Sequence, residues 1–559
     1  MPETIFIGVA WPYANGWLHL GHLAGCYLPA DIFARYHRMK GNRVLMVSGS
    51  DQHGTPVTLR AEQEGTTVQA VVDKYHNSFM DSWERMGITF DLFTTTGTDN
   101  HRETVHEFIK DYNDKGYIYP ATMKVAYSPD FQRFLPDRYV EGICPHCQNP
   151  RARGDQCDNC GHTLDPVELG SPVYMNNGAA YPVEIRDAEH LFFKLSTFEK
   201  PLLEWVSKQD HWRANVRNFT RGYLNEGLRD RAITRDLDWG VPVPIEGFQD
   251  KRIYVWFEAV IGYLSASKEW AQSAGDPDAW KPFWTDPATR MYNFIGKDNI
   301  PFHTIIWPAM LMAKGEYILP YDVPANEFLT LEGKQLSTSR NWAVWVPDYL
   351  DQFPADPLRY HLTANMPENG DSDFSWTEYV RRNNDELVAT YGNLVNRVFT
   401  LISRHFDGKA PDAGQPRPED AELIAKTEAA MESVAASIEA CHFREAVQGW
   451  MALARDANRY LEAQAPWKQV KEDTAAAAHT LYTALCAISG LRVMTYPVIP
   501  FSAQKLHEMM GFTGNVQDEG WTLTLPSPGH QLGTPEILFT KLDDSLVEEQ
   551  MAKLGRPEA

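Results

Sequence analysis

Two closely spaced pairs of cysteines are the residues whose spacing most directly implies chemistry. Cys144 and Cys147 form one CxxC turn, and Cys157 and Cys160 form a second, with nine residues between the pairs. Each turn supplies two thiolates, and together they supply the four sulfur ligands of a tetrahedral zinc site. We therefore predict one structural zinc ion, since no coordination position stays open for a substrate. The alternatives are four unrelated buried cysteines, or a redox pair, which would stand near the start of a βαβ unit.

Two histidines, His19 and His22, flank Gly21 where a short apolar segment gives way to a helical one. A helix N-terminus offers free backbone N–H groups and the positive end of its dipole, which suits a phosphate group. The glycine lets a flat ligand approach the backbone, and imidazoles can donate hydrogen bonds to phosphate oxygens. Phosphate binding is one interpretation, and a structural role for both histidines is the other.

A polar loop rich in hydroxyl groups, residues 333–340, is a second candidate phosphate site. Lys334 and the hydroxyls of Ser337 and Ser339 could contact a triphosphate, although the glycine pattern is not that of a P-loop. A solvated surface loop is the alternative. Two carboxylates, Asp51 and Asp298, lie near predicted strand ends, but nothing in the sequence indicates that they meet.

The elements that must position these residues form an α/β pattern in the first half of the chain. Residues 4–10 and 43–49 are short apolar runs typical of buried strands, and residues 20–39 between them have helical character. This order predicts a parallel βαβ unit, in which ligands bind beyond the carboxyl ends of the strands. Further strands are predicted at 252–257 and 291–295, so that an insertion over about 118–230 splits the parallel sheet.

The second half of the chain is predicted to be helical. Apolar residues recur every three or four positions from Leu387 to Ile402, and helical patterns continue over 421–462 and 474–496 after a Gly- and Pro-rich break. The predicted domains are a parallel-sheet domain in two halves (1–117 and 231–325), an insertion with the two cysteine pairs (118–230), a region with the polar loop (326–385), an α-helical domain (386–525) and a C-terminal return segment with a short helix (526–559).

The composition excludes several classes of protein. Of the 559 residues, 43% are hydrophobic and 23% charged, which excludes disorder over most of the length. The net charge of −22 argues against nonspecific nucleic-acid binding, which depends on excess Lys and Arg. No apolar run approaches the ~18 residues of a membrane helix, and the N-terminus lacks the features of a signal peptide. With only seven cysteines, the sequence predicts a protein of the reducing cytoplasm with no membrane partner.

Several segments, in the same order along the chain, resemble those of the class I aminoacyl-tRNA synthetases. Trp11 to His22 resembles their "HIGH" signature, and Gln335 to Ser339 resembles a divergent form of their "KMSKS" signature. Residues 49–56, 254–263 and 294–303, together with the four-cysteine motif, resemble the methionyl-tRNA synthetase family in particular. The resemblance extends over nearly the whole chain.

This resemblance implies a Rossmann-type parallel-sheet catalytic domain, split by a zinc-binding insertion and followed by an all-α bundle that reads the CAU anticodon. It implies a two-step reaction, in which the carboxylate of L-methionine attacks the α-phosphate of ATP to give methionyl-adenylate. The 3′-terminal adenosine of tRNA(Met), including the initiator tRNA, then takes the methionyl group. Mg²⁺ accompanying ATP is implied as well. Such a reaction depends on positioning and charge stabilisation more than on a proton-transferring side chain.

The resemblance also implies roles for individual residues. The catalytic residues are His19, His22, Lys334, Ser337 and Ser339. The ATP contacts are His19, Gly21, His22, Gly296, Asp298 and Lys334. The methionine site comprises Trp11, Tyr13, Asp51, Arg235, Trp256, Ala259, Val260, Tyr263 and His303. In this site Asp51 would bind the amino group and Arg235 the carboxylate, and most of the other residues would surround the thioether. The anticodon contacts are Arg404, Pro466 and Trp467.

The chain departs from the family pattern at three places. Gln335 and Thr338 replace the lysines of the second signature, so that Lys334, one place early, is expected to take over the phosphate contact. Thr400 stands where many bacterial relatives have an asparagine that contacts the anticodon. Some relatives have a second zinc knuckle, but the matching positions here carry no cysteine and are Ser128, Phe131, Tyr174 and Asn177.

Gln335 keeps a second hypothesis open, namely a paralogue that binds tRNA or adenylate but has lost efficient catalysis. A third hypothesis is an enzyme of the same fold that activates another small amino acid. The aromatic residues of the pocket and the missing editing domain argue against it. Dimeric relatives add a C-terminal OB-fold, and nothing after Glu549 is long enough for one, so that we predict a monomer. The insertion is too short to hold an editing domain beside the zinc knuckle.

Overall fold

A computed structural model of the chain describes residues 2–154, 157, 159–160, 164–176, 179–338 and 340–556. The strands are β1 (Thr4–Val9), β2 (Arg43–Ser50), β3 (Leu92–Thr95), β4 (Ile118–Ser128), β5 (Arg133–Phe134), β6 (Val140–Ile143), β7 (Ala152–Arg153), β8 (Gly170–Asn176), β9 (Ala179–Pro182), β10 (Glu184–Phe193), β11 (Arg231–Ala232), β12 (Thr234–Arg235), β13 (Arg252–Ile253), β14 (Arg290–Gly296), β15 (Ala325–Asn326), β16 (Leu329–Leu331), β17 (Lys334–Gln335) and β18 (Ser372–Phe374).

The helices between and after these strands are α1 (Leu20–His22), α2 (Leu28–Met39), α3 (Thr55–Glu64), α4 (Val68–Met86), α5 (Asp99–Asp114), α6 (Glu199–Val206), α7 (Ala214–Asn225), α8 (Val255–Ala259), α9 (Gly262–Ser273), α10 (Lys281–Thr285), α11 (Trp307–Lys314), α12 (Val346–Leu350), α13 (Ala355–Ala364), α14 (Trp376–Arg382), α15 (Asn393–His405), α16 (Pro418–Glu439), α17 (Phe443–Gln464), α18 (Pro466–Glu472), α19 (Thr474–Thr495), α20 (Pro500–Met509), α21 (Val516–Glu519) and α22 (Ser545–Met551). Leu23–Tyr27, Phe302–Ile306 and Asn383–Gly392 are π-helical.

A parallel sheet with the order β15-β14-β1-β2-β3 lies at the centre of the first half, which confirms the predicted Rossmann-type fold. β1 is buried along nearly its whole length, as expected for a strand covered on both faces of a parallel sheet. The predicted strand at 291–295 is β14, which pairs parallel to β1. The prediction of a strand at 252–257 was wrong, because only Arg252–Ile253 is extended and Val255–Ala259 forms α8. A short apolar run does not by itself distinguish a strand from a buried helix.

The insertion contains two antiparallel sheets, followed by α6 and α7. β4 and β10 pair along their whole lengths, so that the chain runs out and returns beside itself. A second sheet, with the order β7-β6-β8-β9, surrounds the cysteine pairs. The small core around the cysteines includes Tyr139, Tyr174 and Leu164.

The second half is an α-helical bundle built on α15, α16, α17 and α19, as predicted. The helical pattern over 421–462 is divided in the structure between two helices, α16 and α17. Between them Cys441 has a left-handed backbone conformation with φ 56°. Because this bend contains neither glycine nor proline, no punctuating residue marked it in the sequence.

One buried arginine ties the parallel-sheet half to the bundle. The Arg359 side chain is fully buried and donates hydrogen bonds to Asp31 on α2 (2.6 Å), to the Met86 carbonyl at the end of α4 (3.1 Å) and to the Val498 carbonyl after α19 (2.7 Å). Burial opposes the Asp31 charge, but Arg35 and Arg359 outweigh it and lower the pKa of Asp31 to about 2. Removing one partner of such a pair typically costs about 3–5 kcal/mol.

The C-terminal segment returns to the region of residues 326–385. The predicted short helix is α22, and beyond it the Asn341 side chain donates a 2.7 Å hydrogen bond to the Arg556 carbonyl. In the described part of the chain, every helix is too short or too polar to cross a membrane.

Candidate active site

The order of strands creates a crevice at one edge of the parallel sheet. From β1 the chain continues to β2 and β3 on one side, whereas β14 and β15 lie on the other side of β1. The connections after β1 and β14 therefore diverge, and ligands of open α/β sheets bind at such a point, beyond the carboxyl ends of the strands. Residues 10–22, 51–54 and 296–298 all follow strands at this edge.

His19 and His22 stack on each other at the start of α1, with ring centroids 3.9 Å apart. The His19 ring accepts the Gly21 N–H at Nδ1 (3.1 Å), and the His22 ring accepts the His19 N–H at Nδ1 (3.1 Å). Because each Nδ1 accepts, each neutral ring carries its proton on Nε2 as a donor. Burial lowers the pKa of His22 to about 4 and holds the pKa of His19 well below its ordinary value. Both rings are therefore uncharged donors at neutral pH.

The loop with the second signature lies directly against these histidines. A β-carbon at Gly21 would lie 2.7 Å from Leu336 Cδ1, so that the glycine is required for this close approach. Behind the loop, the Leu20 N–H donates to the Val344 carbonyl (3.3 Å) and the Val346 N–H donates to the Leu18 carbonyl (2.8 Å). The structure thus brings together the two segments that resemble the family signatures. In this arrangement Leu336 covers Gly21, where the sequence predicted an approaching ligand.

Lys334 is the exposed cation of this loop. Its Nζ lies 4.3 Å from the centre of the Trp342 ring, and Gln335 pairs with Thr330 in the hairpin of β16 and β17. The backbone of Ser337 pairs with Trp342, and its hydroxyl accepts a 3.1 Å hydrogen bond from Arg340 Nε. Ser339 lies outside the described residues. In the described part of the chain the Lys334 ammonium group lies on an aromatic face and forms no ion pair, so that it can turn toward a phosphate.

The predicted thioether pocket is assembled from residues distant in sequence. His303 donates from Nδ1 to the Asn299 carbonyl (2.9 Å), so that its Nε2 accepts a 2.7 Å hydrogen bond from the Tyr263 hydroxyl. Burial lowers the pKa of His303 to about 4, which keeps the ring neutral. The Trp256 ring meets the edge of Tyr13 at 5.8 Å between centroids. Ala259 and Val260 are both buried.

Glycines make room for the indole of Trp11. A β-carbon at Gly49 would lie 2.3 Å from Trp11 Cζ3 and 2.5 Å from the Thr94 carbonyl oxygen, and one at Gly262 would lie 2.7 Å from Trp11 Cζ2. No larger side chain fits at either position without moving the indole. The sequence analysis included both glycines in its motifs without assigning them this role.

The surroundings of Asp51 differ from those of Arg235. The two residues are predicted to bind the ammonium and the carboxylate group of an amino acid. Asp51 is 2% exposed, and its backbone bridges to Tyr13. Burial and the nearby Glu258 raise the pKa of Asp51 to about 7. The Arg235 guanidinium donates to the Thr234 carbonyl (2.9 Å) and lies 4.1 Å from the Tyr254 ring centre. The described contacts of Arg235 do not include Asp51.

The predicted ribose and adenine contacts lie at the end of β14. A β-carbon at Gly296 would meet no atom within 4 Å, so that a ligand can approach the backbone there. Asp298 is exposed in the following turn, and Lys297 beside it bonds to Glu327 (2.7 Å) and Asp371 (2.9 Å).

The four cysteines converge at the insertion, with all four sulfur atoms within 4.8 Å of one another. Two of the distances, Cys144–Cys160 (3.8 Å) and Cys147–Cys157 (3.6 Å), match the ~3.8 Å edge of a tetrahedron with Zn–S bonds of about 2.3 Å. Burial opposes ionisation, but backbone N–H groups of Cys160 and Asn159 lower the pKa of Cys157 to about 6. These sulfurs can therefore hold a metal ion.

The four positions that match the second zinc knuckle of some relatives carry no cysteine in this chain. Two of them, Phe131 and Tyr174, are aromatic residues that pack against each other. The Phe131 ring lies 5.3 Å from Tyr174, whose hydroxyl accepts a 2.8 Å hydrogen bond from Arg133. Ser128 is buried nearby on β4, and Asn177 lies outside the described residues.

In the helical bundle, the aromatic ring of Trp467 is partly exposed beside an arginine. The guanidinium of Arg397 lies 4.7 Å from the Trp467 ring centre and pairs with Glu462 at 2.8 Å. Pro466 begins α18 and is buried. Arg404 is exposed seven residues along the same helix as Arg397, about 10 Å away. The structure therefore places Arg397, which the sequence analysis did not single out, at Trp467.

Comparison with known proteins identifies the family to which the chain belongs. A family model described as "tRNA synthetases class I (M)" matches residues 5–399, and one described as "Anticodon binding domain of methionyl tRNA ligase" matches residues 410–558. The chain belongs to the methionyl-tRNA synthetase family. It is 58% identical to a methionine--tRNA ligase of Dehalococcoides mccartyi, over 99% of this chain and 100% of that protein. It is 50% identical to one of Roseiflexus castenholzii, over 99% of each.

Among solved structures, a methionyl-tRNA synthetase family member from Mycobacterium tuberculosis in complex with methionyl-adenylate has a similar fold. The TM-score is 0.81 at 27% identity, over 96% of this chain and 99% of that one. The resemblance to this family that the sequence motifs indicated is confirmed.

The sequence analysis missed a cluster of polar residues that includes the buried Glu258 and His101 and the partly buried His53. Glu258 belongs to α8 and is fully buried, with its carboxylate 2.8 Å from His53 Nδ1 and 3.7 Å from His101 Nε2. Glu258 lies inside a segment that resembles the methionyl-tRNA synthetase family, but a single glutamate in an apolar run gives no signal of its partners. Only the fold brings the three together.

We expect Cys157→Ser to release the metal ion, because a serine hydroxyl stays protonated and is a poor ligand beside three thiolates. Elemental analysis of the purified variant should show about one equivalent less zinc than the parent protein. Cys486→Ser, which changes a buried cysteine of the bundle, is the matched control and should keep its metal. Full metal retention by Cys157→Ser would show that the four sulfurs do not form one site.

Proposed function

We propose that the protein is a ligase that activates L-methionine with ATP and transfers the methionyl group to the 3′ end of tRNA(Met), including the initiator tRNA. The observation that carries this proposal is the meeting of the two signature segments at the crevice between β1 and β14. The buried Asp51 follows β2 at the same edge of the sheet, and Tyr263 hydrogen-bonds to His303, which follows β14. This activity is that of the family to which the chain belongs.

In the first step, the methionine carboxylate attacks the α-phosphate of ATP, and pyrophosphate leaves. His19 and His22 would donate from Nε2 to the phosphates, since their Nδ1 atoms are occupied. Lys334 would turn from Trp342 to the leaving pyrophosphate, with Ser337 and Ser339 beside it. Fixed donors that match the charge of a transition state need no reorganisation during reaction. Gly21, Gly296 and Asp298 would hold the nucleoside, and Mg²⁺ would enter with ATP.

The substrate methionine would be held at both ends. Asp51 would pair with its ammonium group and Arg235 with its carboxylate. Trp11, Tyr13, Trp256, Ala259, Val260, Tyr263 and His303 would surround the thioether. An apolar and aromatic lining suits a polarisable sulfur atom.

Several finer features belong to the same proposal. We propose that the metal at the four cysteines is a single zinc ion with a structural role, because four protein sulfurs leave no open position. The domain boundaries given above, a monomeric state and a cytoplasmic location complete the proposal.

The anticodon of tRNA(Met) would be read on the bundle face around Pro466 and Trp467. RNA loops are recognised by bases that stack on aromatic rings and guanidinium planes. Trp467 and Arg397 provide both kinds of plane within one contact. Arg404 would lie further along the tRNA. Because a few placed residues suffice, such a surface is compatible with the net charge of −22.

Amino-acid-dependent exchange of pyrophosphate into ATP, without tRNA and across all twenty amino acids, tests the first step. We expect exchange with methionine alone. We further expect Lys334→Gln to lower the exchange rate about 100-fold, as removal of a transition-state donor does, whereas Gln335→Ala should change it less than about threefold.

Three results would contradict parts of this account. Exchange with a different amino acid would overturn the pocket assignment. An unchanged rate in Lys334→Gln would remove Lys334 from the catalytic residues. A folded, metal-loaded protein without any exchange would instead identify the noncatalytic paralogue that Gln335 leaves open.

We expect Arg397→Ala and Trp467→Ala each to weaken binding of an anticodon stem-loop with the CAU sequence by about tenfold or more, since stacking on one base contributes about 1–3 kcal/mol. Arg404→Ala is the comparison that separates the two arginines. Fluorescence anisotropy with a labelled stem-loop measures all three. Loss of affinity in Arg404→Ala but not in Arg397→Ala would show that Arg404, the residue that the resemblance indicated, makes the anticodon contact.

A further inference from the structure

A fully buried glutamate lies behind the methionine pocket. Glu258 shares α8 with Trp256 and Ala259, two residues of the proposed pocket, but its own side chain is 0% exposed. Its Oε1 lies 2.8 Å from His53 Nδ1, and its Oε2 lies 3.7 Å from His101 Nε2. Burying a carboxylate is costly unless it is paired. His53 supplies that pairing at hydrogen-bond distance, and His101 lies farther from the second oxygen.

His53 connects this glutamate to Asp51. The His53 backbone N–H donates a 3.1 Å hydrogen bond to Asp51 Oδ1, while its ring is bound to Glu258. One residue is therefore shared by two buried carboxylates. On the far side, the His101 ring bonds to the Ser265 hydroxyl at 2.9 Å, which fixes the orientation of that imidazole.

We propose that Glu258 is a positioning residue that couples capture of the methionine ammonium group at Asp51 to release of a proton. The inference rests on the proposed function and deepens it. In the step itself, the Asp51 carboxyl group gives its proton to water as the substrate ammonium, which keeps its own three protons, pairs with the carboxylate. No covalent bond to the substrate forms or breaks.

The charges facing Asp51 come from the loop after β2, from α8 and from α5. Burial and Glu258 raise the pKa of Asp51 to about 7, against the opposing effect of His53. Burial opposes the charge of His53, but Glu258 and Asp51 raise its pKa overall. His53 and His101 outweigh burial and lower the pKa of Glu258, so that Glu258 stays ionised. Near pH 7, then, Asp51 is partly protonated and Glu258 is not.

The direction of the pH effect follows. An incoming ammonium group binds only the ionised form of Asp51, so that methionine binds more tightly as the pH rises through about 7 and then levels off. His19, His22 and His303 contribute nothing in this range, because each stays neutral.

The test is the KM for methionine in pyrophosphate exchange between pH 6 and pH 8. For the unchanged protein we expect KM to fall about tenfold over this range. Glu258→Gln removes the charge but keeps an oxygen for His53, and its KM should fall by less than about fivefold over the same range, because burial alone then raises the pKa of Asp51. Glu258→Asp keeps the charge and should keep the dependence. If Glu258→Gln instead raises KM equally at every pH and leaves the profile unchanged, the role of Glu258 is merely structural and the proposal is wrong.

A second measurement needs no variant at position 258. The heat of methionine binding at pH 7, in two buffers of different ionisation enthalpy, should reveal release of about half a proton per methionine. The same calorimetric measurement with His53→Gln separates proton release by Asp51 from proton release by His53. We expect the release of a proton to persist in this variant. Zero release by the unchanged protein, or release abolished by His53→Gln, overturns the proposal.

Different results would overturn the inference about Glu258 and the proposed function. A flat KM profile with full methionine-dependent exchange overturns this inference alone. Absence of both exchange and binding heat at every pH overturns the proposed function, and this inference with it.

Discussion

The parallel pairing of β1 with β14 is the constraint on which the rest of the structure depends. These strands lie about 280 residues apart in sequence, yet they pair along most of their length, from Ile5 opposite Arg290 to Val9 opposite Phe294. The insertion belongs to the connection between β3 and β14, which lie on opposite sides of β1 in the sheet. The pairing of β1 with β14 also sets the segment after β1, which carries His19 and His22, beside Gly296 at the end of β14. The crevice exists because the two connections diverge there.

Two buried aspartates illustrate how the same fold treats charge in opposite ways. Asp31 faces two guanidinium groups, which outweigh burial and lower its pKa to about 2. Asp51 faces one histidine and a second carboxylate, and burial with Glu258 raises its pKa to about 7. The first aspartate is compensated within the protein and joins two domains. The second is left short of positive charge, which suits the ammonium partner proposed for it.

Much of the fold and of the site could be predicted from the sequence, for identifiable reasons. The strands at Thr4–Val9 and Arg290–Gly296 and the cysteine pairs have local signals, namely apolar runs and fixed ligand spacing. The α8 segment and the bend at Cys441 could not be predicted, because one is an ambiguous apolar run and the other has no glycine or proline. Glu258, His53 and His101 come together only through tertiary packing. Arg397 was missed because helical spacing alone does not tell which turn of α15 faces Trp467.

The central claim is that the crevice between β1 and β14 holds methionine and adenosine side by side, with the second signature loop above them. A crystal structure of the protein with a nonhydrolysable methionyl-adenylate analogue tests this most directly. The account predicts the methionine ammonium at Asp51, the thioether at Tyr263 and His303, the adenosine over Gly296, and Leu336 moved away from Gly21. An analogue bound elsewhere, or an adenosine in the crevice with its methionyl group outside the aromatic pocket, would contradict it.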